Sequence, residues 1–243
     1  MLQSLTKFEA TLVYVCSVKV QNRGMKDLLV IFDCDGVLVD SEPVSNAVLT
    51  EMLAQVGLEM SVEECRRRFV GKAMPSVQVE VEAELGHALA PSWSEDVRDR
   101  TEIALNQSIQ PVPGVVELVK ELVRNQVPIC VASSGRYSKM NVTLGKTGLL
   151  PYFEKLLFSA ETVGIGKPAP DLFLYTLDQM GFAAAQAVII EDSIPGVQAA
   201  VAASVRVLGY VGDPFTDRKA MVREGAEIFD SMSMVPSLLG LNR

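Results

Sequence analysis

Short apolar runs rich in β-branched residues recur along this chain and constrain its fold more than any other feature. They are Leu28–Phe32, Ile129–Ala132, Leu156–Phe158, Ala187–Ile190 and Val205–Tyr210, with a weaker one at Glu227–Phe229. Runs this short and this continuously apolar suit strands buried on both faces of a parallel sheet. Helical patterns fill most of the gaps. Residues 114–125 place Val115, Leu118, Val119 and Leu122 on one face after Pro113-Gly114, and residues 171–180 do the same with Leu172, Tyr175 and Leu177. Strands alternating with helices predict an α/β fold with a doubly wound, mostly parallel sheet.

Residues 42–107 break the alternation. Val44, Ala47, Val48, Met52, Leu53 and Val56 form a helical stripe that Gly57 ends, and helix-like stretches follow near 61–69, 75–86 and 94–107. This reads as an all-helical domain at 41–110 inserted into a core made of 25–40 and 111–243. The hinges are expected near Asp40–Pro43 and Gln110–Gly114. Residues 1–24 form an N-terminal extension, expected to be a disordered tail or to precede an effective start at Met25. Its apolar stretch 11–20 follows Glu9, is interrupted by Lys19 and lacks a small-residue cleavage site, so it makes a poor signal peptide.

In an open α/β sheet, ligands bind beyond the carboxyl ends of the strands, so the residues that close each run carry the chemistry. The first run ends in Asp33-Cys34-Asp35-Gly36 and the second in Ser133-Ser134-Gly135-Arg136. Beyond the third the chain reaches Gly166-Lys167-Pro168, and the fourth ends in Glu191-Asp192-Ser193. Acids gathered in one crevice need a cation, so Asp33, Asp35 and Asp192 imply bound Mg²⁺, the hard oxygen-only donor set arguing against Zn²⁺. A metal, a lysine and a hydroxyl together clamp a phosphoryl group. Gly36 allows a sharp turn that brings backbone N–H groups towards the same anion.

The rest of the composition narrows the options. Thirty acids against 22 bases give a net charge of −8, which argues against nucleic-acid binding through a broadly basic surface. The one histidine, His87, is expected in a surface loop and excludes any His-rich metal site. Cys16, Cys34, Cys65 and Cys130 form no C-x-x-C pair and are expected to be reduced thiols of a cytoplasmic protein. No apolar run is long enough for a membrane span. A monomer is the default expectation, because no heptad or strong apolar stripe stands out.

The string DCDGVLVD (Asp33–Asp40) resembles the first signature of the haloacid dehalogenase superfamily of phosphatases and phosphomutases. Ser133, the lysine of GKPAPD (Gly166–Asp171) and the acid pair of EDSIPG (Glu191–Gly196) resemble its other three, in the family's order. The likeness spans about residues 25–235 and implies a Rossmann-like core with a helical cap. It also implies roles. Asp33 would be the nucleophile that becomes an aspartyl-phosphate, and Asp35 the general acid/base. One Asp33 carboxylate oxygen, the Asp35 backbone carbonyl and Asp192 would hold Mg²⁺, with Glu191 orienting that shell. Ser133, Ser134, Lys167 and Gly36 would meet the phosphoryl oxygens.

The inserted module resembles the cap of the beta-phosphoglucomutase-like branch. Glu42, Asn46, the Arg66–Arg68 run and Lys72 are its candidate substrate contacts, although a solvated helix face is the better reading of Arg66–Arg68. Trp93 is expected to pack inside the cap. Mutases of that branch carry a cap histidine ten residues after the acid/base aspartate, where this chain has Ser45, and this favours hydrolysis over phosphoryl transfer between sugars. The stretch Ser133–Leu149 is similar to the 6-phosphogluconate phosphatase branch. The expected activity is Mg²⁺-dependent hydrolysis of a small phosphorylated metabolite, a sugar phosphate or a sugar-acid phosphate such as 6-phosphogluconate. A phosphomutase, or a phosphatase for another metabolite such as phosphoglycolate, is the alternative. A metal-free dehalogenase is disfavoured by Asp35 and Asp192, and a receiver-type signalling domain by the cap and the paired aspartates.

Overall fold

The computed structural model describes residues 27–69 and 72–241, so the N-terminal extension with Cys16 and Met25 lies outside the described residues. Six strands form one parallel sheet: β1 (Leu29–Phe32), β2 (Ile129–Ser133), β3 (Leu157–Ser159), β4 (Ala187–Glu191), β5 (Arg206–Tyr210) and β6 (Glu227–Phe229). Their order is β3-β2-β1-β4-β5-β6. The chain winds outward from β1 in one direction and then from β4 in the other, so the order reverses beside β1. That reversal opens a crevice at its carboxyl end.

Alternation along each strand feeds two cores, because successive side chains point to opposite faces. Val30, Phe32, Ile129, Val131, Val188 and Ile190 lie on one face. There they pack against α5 (Val115–Arg124) and α6 (Tyr137–Lys146) through Leu118, Leu122, Met140 and Leu144. Leu29, Ile31, Cys130, Ala132 and Ile189 lie on the other, under Leu172 and Phe173 of α7 (Asp171–Met180) and Val197 and Ala200 of α8 (Ile194–Ala202). The expected strands are therefore all present. Three end one residue later than the apolar runs do, at Ser133, Ser159 and Glu191: Ser133 pairs in register with Ser159 and Glu191 with Gly209, so both candidate functional residues, Ser133 and Glu191, are the last of their strands.

Between β1 and α5 stand α1 (Glu42–Gln55), α2 (Val62–Phe69), α3 (Met74–Leu85) and α4 (Trp93–Ser108). They share a core of their own, with Leu49, Met52, Leu53, Cys65, Phe69, Val77, Val81, Trp93 and Val97. Two chain segments join this unit to the sheet and are tied together, the Asp40 N–H donating to Gln110 O at 2.9 Å and the Val112 N–H to Leu38 O at 3.2 Å. Cys34, Cys65 and Cys130 are buried free thiols. Among the described residues no helix is long and apolar enough to cross a membrane.

Candidate active site

The site grows from the carboxyl end of β1. Asp33 is anchored by its backbone N–H, which donates to Ile190 O at 2.9 Å, and its side chain is almost fully enclosed. Lys167 reaches across from the loop before α7, placing Nζ 2.5 Å from Asp33 Oδ1 and 2.6 Å from Glu191 Oε1. Asp33 Oδ2 accepts no hydrogen bond from a described side chain, so one oxygen is held and the other is left to react. Burial pushes the Asp33 carboxyl up to about 7, with the Lys167 ammonium opposing the rise and the Glu191 charge adding to it. Burial also works against the charge of Lys167, but Asp33 and Glu191 together raise it above the ordinary lysine value.

Glu191 is fully buried at the end of β4 and serves two partners. Its Oε1 faces Lys167, while Oε2 accepts from the backbone N–H groups of Asp192 (2.9 Å) and Ser193 (2.8 Å) and from the Ser193 hydroxyl (2.9 Å). Ser193 in turn caps α8, its Oγ accepting from the Gly196 N–H at 3.1 Å. A side chain at Gly196 would collide with the Glu191 carboxylate, with a Cβ only 1.8 Å from Oε1. The acid is thus fixed by strand, helix start and lysine at once.

Asp192 carries no such partners. Burial and then the charges of Glu191 and Asp33 hold its carboxyl well above the usual carboxylate range, and Glu42 at the start of α1 adds to the rise. No described residue gives its carboxylate a hydrogen bond or an ion pair. Among the described residues no three His, Cys, Asp or Glu side chains form a ready-made metal cage. Mg²⁺ does not need one, because it is held by one or two carboxylates and keeps several waters. Buried Asp33, whose charge helps raise the half-buried and unpartnered Asp192, makes with it a pair that fits a hard divalent cation.

The first loop differs from expectation at Gly36. Its N–H donates to Val39 O at 2.8 Å, within a turn in which Leu38 and Val39 also donate to Cys34 O, so it is not offered to an anion. The glycine is needed for space instead. It sits at φ +76°, and a Cβ there would lie 1.9 Å from Asp192 Oδ2. Gly36 therefore belongs to the acid cluster rather than to phosphate binding.

Ser133 is buried, and its Oγ accepts from the Gly135 N–H at 3.0 Å, which leaves its own hydrogen to donate. Ser134 is exposed and lies beside Gly166, where a Cβ would stand 3.3 Å from its Oγ. Asp35 is paired with Lys139, whose Nζ is 2.8 Å from each carboxylate oxygen. Burial acts to raise Asp35, but the Lys139 charge and hydrogen bond outweigh it and leave the carboxyl below its ordinary value.

The cap candidates divide. Asn46 is buried and donates to Glu42, at 2.7 Å to its carbonyl and 2.9 Å to its carboxylate. Lys72 is held within the cap by Glu80 at 2.5 Å and is not brought into the cluster. Arg67 is solvated beside Glu63, as a charged helix face should be, but that reading fails for its neighbours. Arg68 binds Glu80 and Glu84, and Arg66 leaves the cap to pair with Asp213 beyond β5, its guanidinium 4.5 Å from the centre of the Phe215 ring. Trp93 is buried in the cap and His87 is exposed.

Sequence reasoning missed Lys139 and Asp213, and placed Arg136 at a strand end without giving it a role. Arg136 is the residue before α6 and binds Glu95 of α4, with Asp99 at 3.7 Å and Glu102 at 3.9 Å. One signal was readable. The start of α6 carries Arg136 and Lys139 and no acid, against the preference of a helix N-terminus for negative charge. Cations placed there call for acidic partners elsewhere.

A family model described as haloacid dehalogenase-like hydrolase matches residues 28–204. The chain is 30% identical over 211 residues to a 6-phosphogluconate phosphatase of Escherichia coli, covering 86% of this chain and 93% of that protein. Among solved structures, a haloacid dehalogenase-like protein of unknown function from Agrobacterium tumefaciens superposes with TM-score 0.79 at 33% identity, over 87% of this chain and 97% of its own. A HAD family hydrolase from Deinococcus radiodurans with bound phosphate and sodium superposes with TM-score 0.75 at 27% identity, over 89% of this chain and 98% of its own.

Proposed function

Because the chain belongs to the haloacid dehalogenase-like hydrolase family, we propose that it is a Mg²⁺-dependent phosphatase for a small phosphorylated sugar or sugar acid, working through an aspartyl-phosphate on Asp33. The observation that carries this reading is the acid set at one sheet edge: buried Asp33 with one oxygen held by Lys167 and the other free, and half-buried Asp192 unpartnered beside it.

Asp33 Oδ2 attacks phosphorus while the bond from phosphorus to the sugar oxygen breaks, and Asp35 gives that oxygen its proton. In the second step Asp35 takes a proton from water as the water oxygen bonds to phosphorus and the bond to Asp33 breaks, releasing phosphate. Lys167 and the Ser133 hydroxyl meet the phosphoryl oxygens, and Lys167 lowers the repulsion between Asp33 and an incoming anion. Mg²⁺, held by Asp33, Asp192 and the Asp35 backbone carbonyl, would supply charge neutralisation at the phosphoryl group.

Hydrolysis is favoured over mutase chemistry by Ser45. Its hydroxyl donates to Ser41 O at 2.9 Å, inside α1, so no titrating cap side chain couples to Asp35 at that position. The similarity to a 6-phosphogluconate phosphatase supports a sugar-acid phosphate as the first substrate to test. Lys72, already paired with Glu80, gives that choice no added weight. The test is phosphate release from a panel of sugar phosphates, sugar-acid phosphates and phosphoglycolate, with Mg²⁺ and with EDTA. Release that chelation abolishes and Mg²⁺ restores is expected. An unchanged rate in EDTA, or no release from any member, refutes the reading.

A further inference from the structure

Lys139 stands in the first turn of α6, where a cation runs against the helix dipole, yet its side chain is turned inward and mostly buried. A groove of about 450 Å³ beside it is lined by Asp99, Glu102 and Asn106 and offers the ammonium two other acids close to water. It pairs with Asp35 instead, 2.8 Å from both oxygens, with hydrogen-bond geometry on Oδ2 only. Oδ1 is buried and accepts no well-aligned hydrogen bond from a described residue, although the Ser41 side chain joins Lys139 in stabilising the Asp35 charge. Gly135 makes the convergence possible: a Cβ there would stand 3.3 Å from Ser133 Oγ, 3.6 Å from Asp35 Oδ2 and 3.8 Å from Lys139 Cδ.

We propose that Lys139 is a positioning residue for the reaction, holding Asp35 Oδ2 so that Oδ1 is the oxygen that carries the proton to and from the reacting oxygens. The inference rests on Asp35 acting as the acid/base. Lys139 itself loses no proton. It fixes the rotation of the Asp35 carboxyl group, and proton transfer requires that group within hydrogen-bond reach of its partner. A lysine serving only the fold would contribute equally whatever the leaving group. One that acts through Asp35 matters where the leaving oxygen needs a proton.

The experiment compares kcat/KM, which covers the steps up to formation of the Asp33–phosphorus bond, for an alkyl sugar phosphate and for 4-nitrophenyl phosphate. The nitrophenolate departs without a proton. Lys139→Met should cut the alkyl value by about 100-fold, the scale of lost acid–base catalysis, and the aryl value far less. Lys139→Arg should restore most of the alkyl value. In an Asp35→Asn background, Lys139→Met should add no further loss. If the Met variant does not fold, Lys139→Gln takes its place, with the same alkyl-selective loss expected. Equal losses on the two esters, no loss on either, or an undiminished effect in the Asp35→Asn background overturns the proposal. Full activity of Asp35→Asn alone would instead overturn the reading of Asp35 on which it rests.

Discussion

Lys167 holds Asp33 by a single oxygen, Nζ to Oδ1 at 2.5 Å, and bridges it to Glu191, all three side chains being largely buried. Removing the ammonium leaves two buried acids facing each other, and breaking such a pair from one side costs about 3–5 kcal/mol. Lys167→Met should therefore lower thermal stability and reduce kcat on the order of 10²–10³-fold, the scale of losing one preorganised donor. Unfolding curves and phosphate release check both. A variant as stable as the parent would mean that Asp33 and Glu191 do not depend on this lysine.

Asp33 and Asp192 give the metal-free protein a pH dependence of defined sign. Both carboxyls are raised in the folded chain, so the native state binds more protons than the unfolded state between the ordinary carboxylate value and about 7. Stability must then fall as pH rises across that window. Asp35, lowered in the folded state, acts oppositely at lower pH, its contribution being lost as pH falls through its folded value. In EDTA, Tm should be higher near pH 5.5 than near pH 8, and Mg²⁺ should raise Tm more at pH 8, where it replaces the missing protons. Equal Mg²⁺ stabilisation at the two pH values would contradict the acid cluster as its site.

Gly36 is the sharpest steric test of the same cluster. An alanine there must accept a left-handed backbone, at roughly 1–2 kcal/mol, and displace the Asp192 carboxylate. Gly36→Ala should raise the Mg²⁺ concentration needed for half-maximal activity at least tenfold, a larger effect than its loss of Tm would suggest. Gly86→Ala serves as the control, because Gly86 is also left-handed, at φ +73°, and a methyl group there would have nothing within 4 Å. If the two variants behave alike in Mg²⁺ titrations, backbone strain and not contact with Asp192 explains Gly36.

What could be read from the sequence follows from which contacts are local. Strands such as Leu29–Phe32 are buried on both faces, so every residue is apolar and the run announces itself. Asp33, Ser133, Glu191 and Asp192 stand at or next to strand ends, so topology alone carries them to one edge. Lys139 was not legible because it meets Asp35 across 104 positions from within a helix, and its role depends on which way that helix faces. Arg66 reads as one of three solvated arginines, since nothing in Arg66-Arg67-Arg68 says which one faces the core. Gly36 reads as a turn residue, but for the wrong reason: its N–H closes the turn onto Val39, and only the path of Asp192 shows that a side chain has no room.

Arg66 supplies the last test, because it joins the cap to the core. Its guanidinium pairs with Asp213 and lies over Phe215, both beyond β5, while the adjacent Arg67 finds its ion-pair partner among the described residues in Glu63 of its own helix. A partly exposed ion pair with one cation–π contact is worth about 1 kcal/mol, too little to decide folding. For a cap that opens and closes over the site, as the resemblance to the beta-phosphoglucomutase-like branch implies, it is enough to shift that equilibrium several-fold, since each 1.4 kcal/mol is a factor of ten. Arg66→Met should therefore raise KM several-fold with a Tm within a few degrees of the parent, and added salt should raise KM for the parent more than for the variant. Arg67→Met, matched in chemistry and confined to the cap, should leave KM and its salt dependence unchanged. If the two arginine variants cannot be told apart, the contact with Asp213 does not hold the cap over the site.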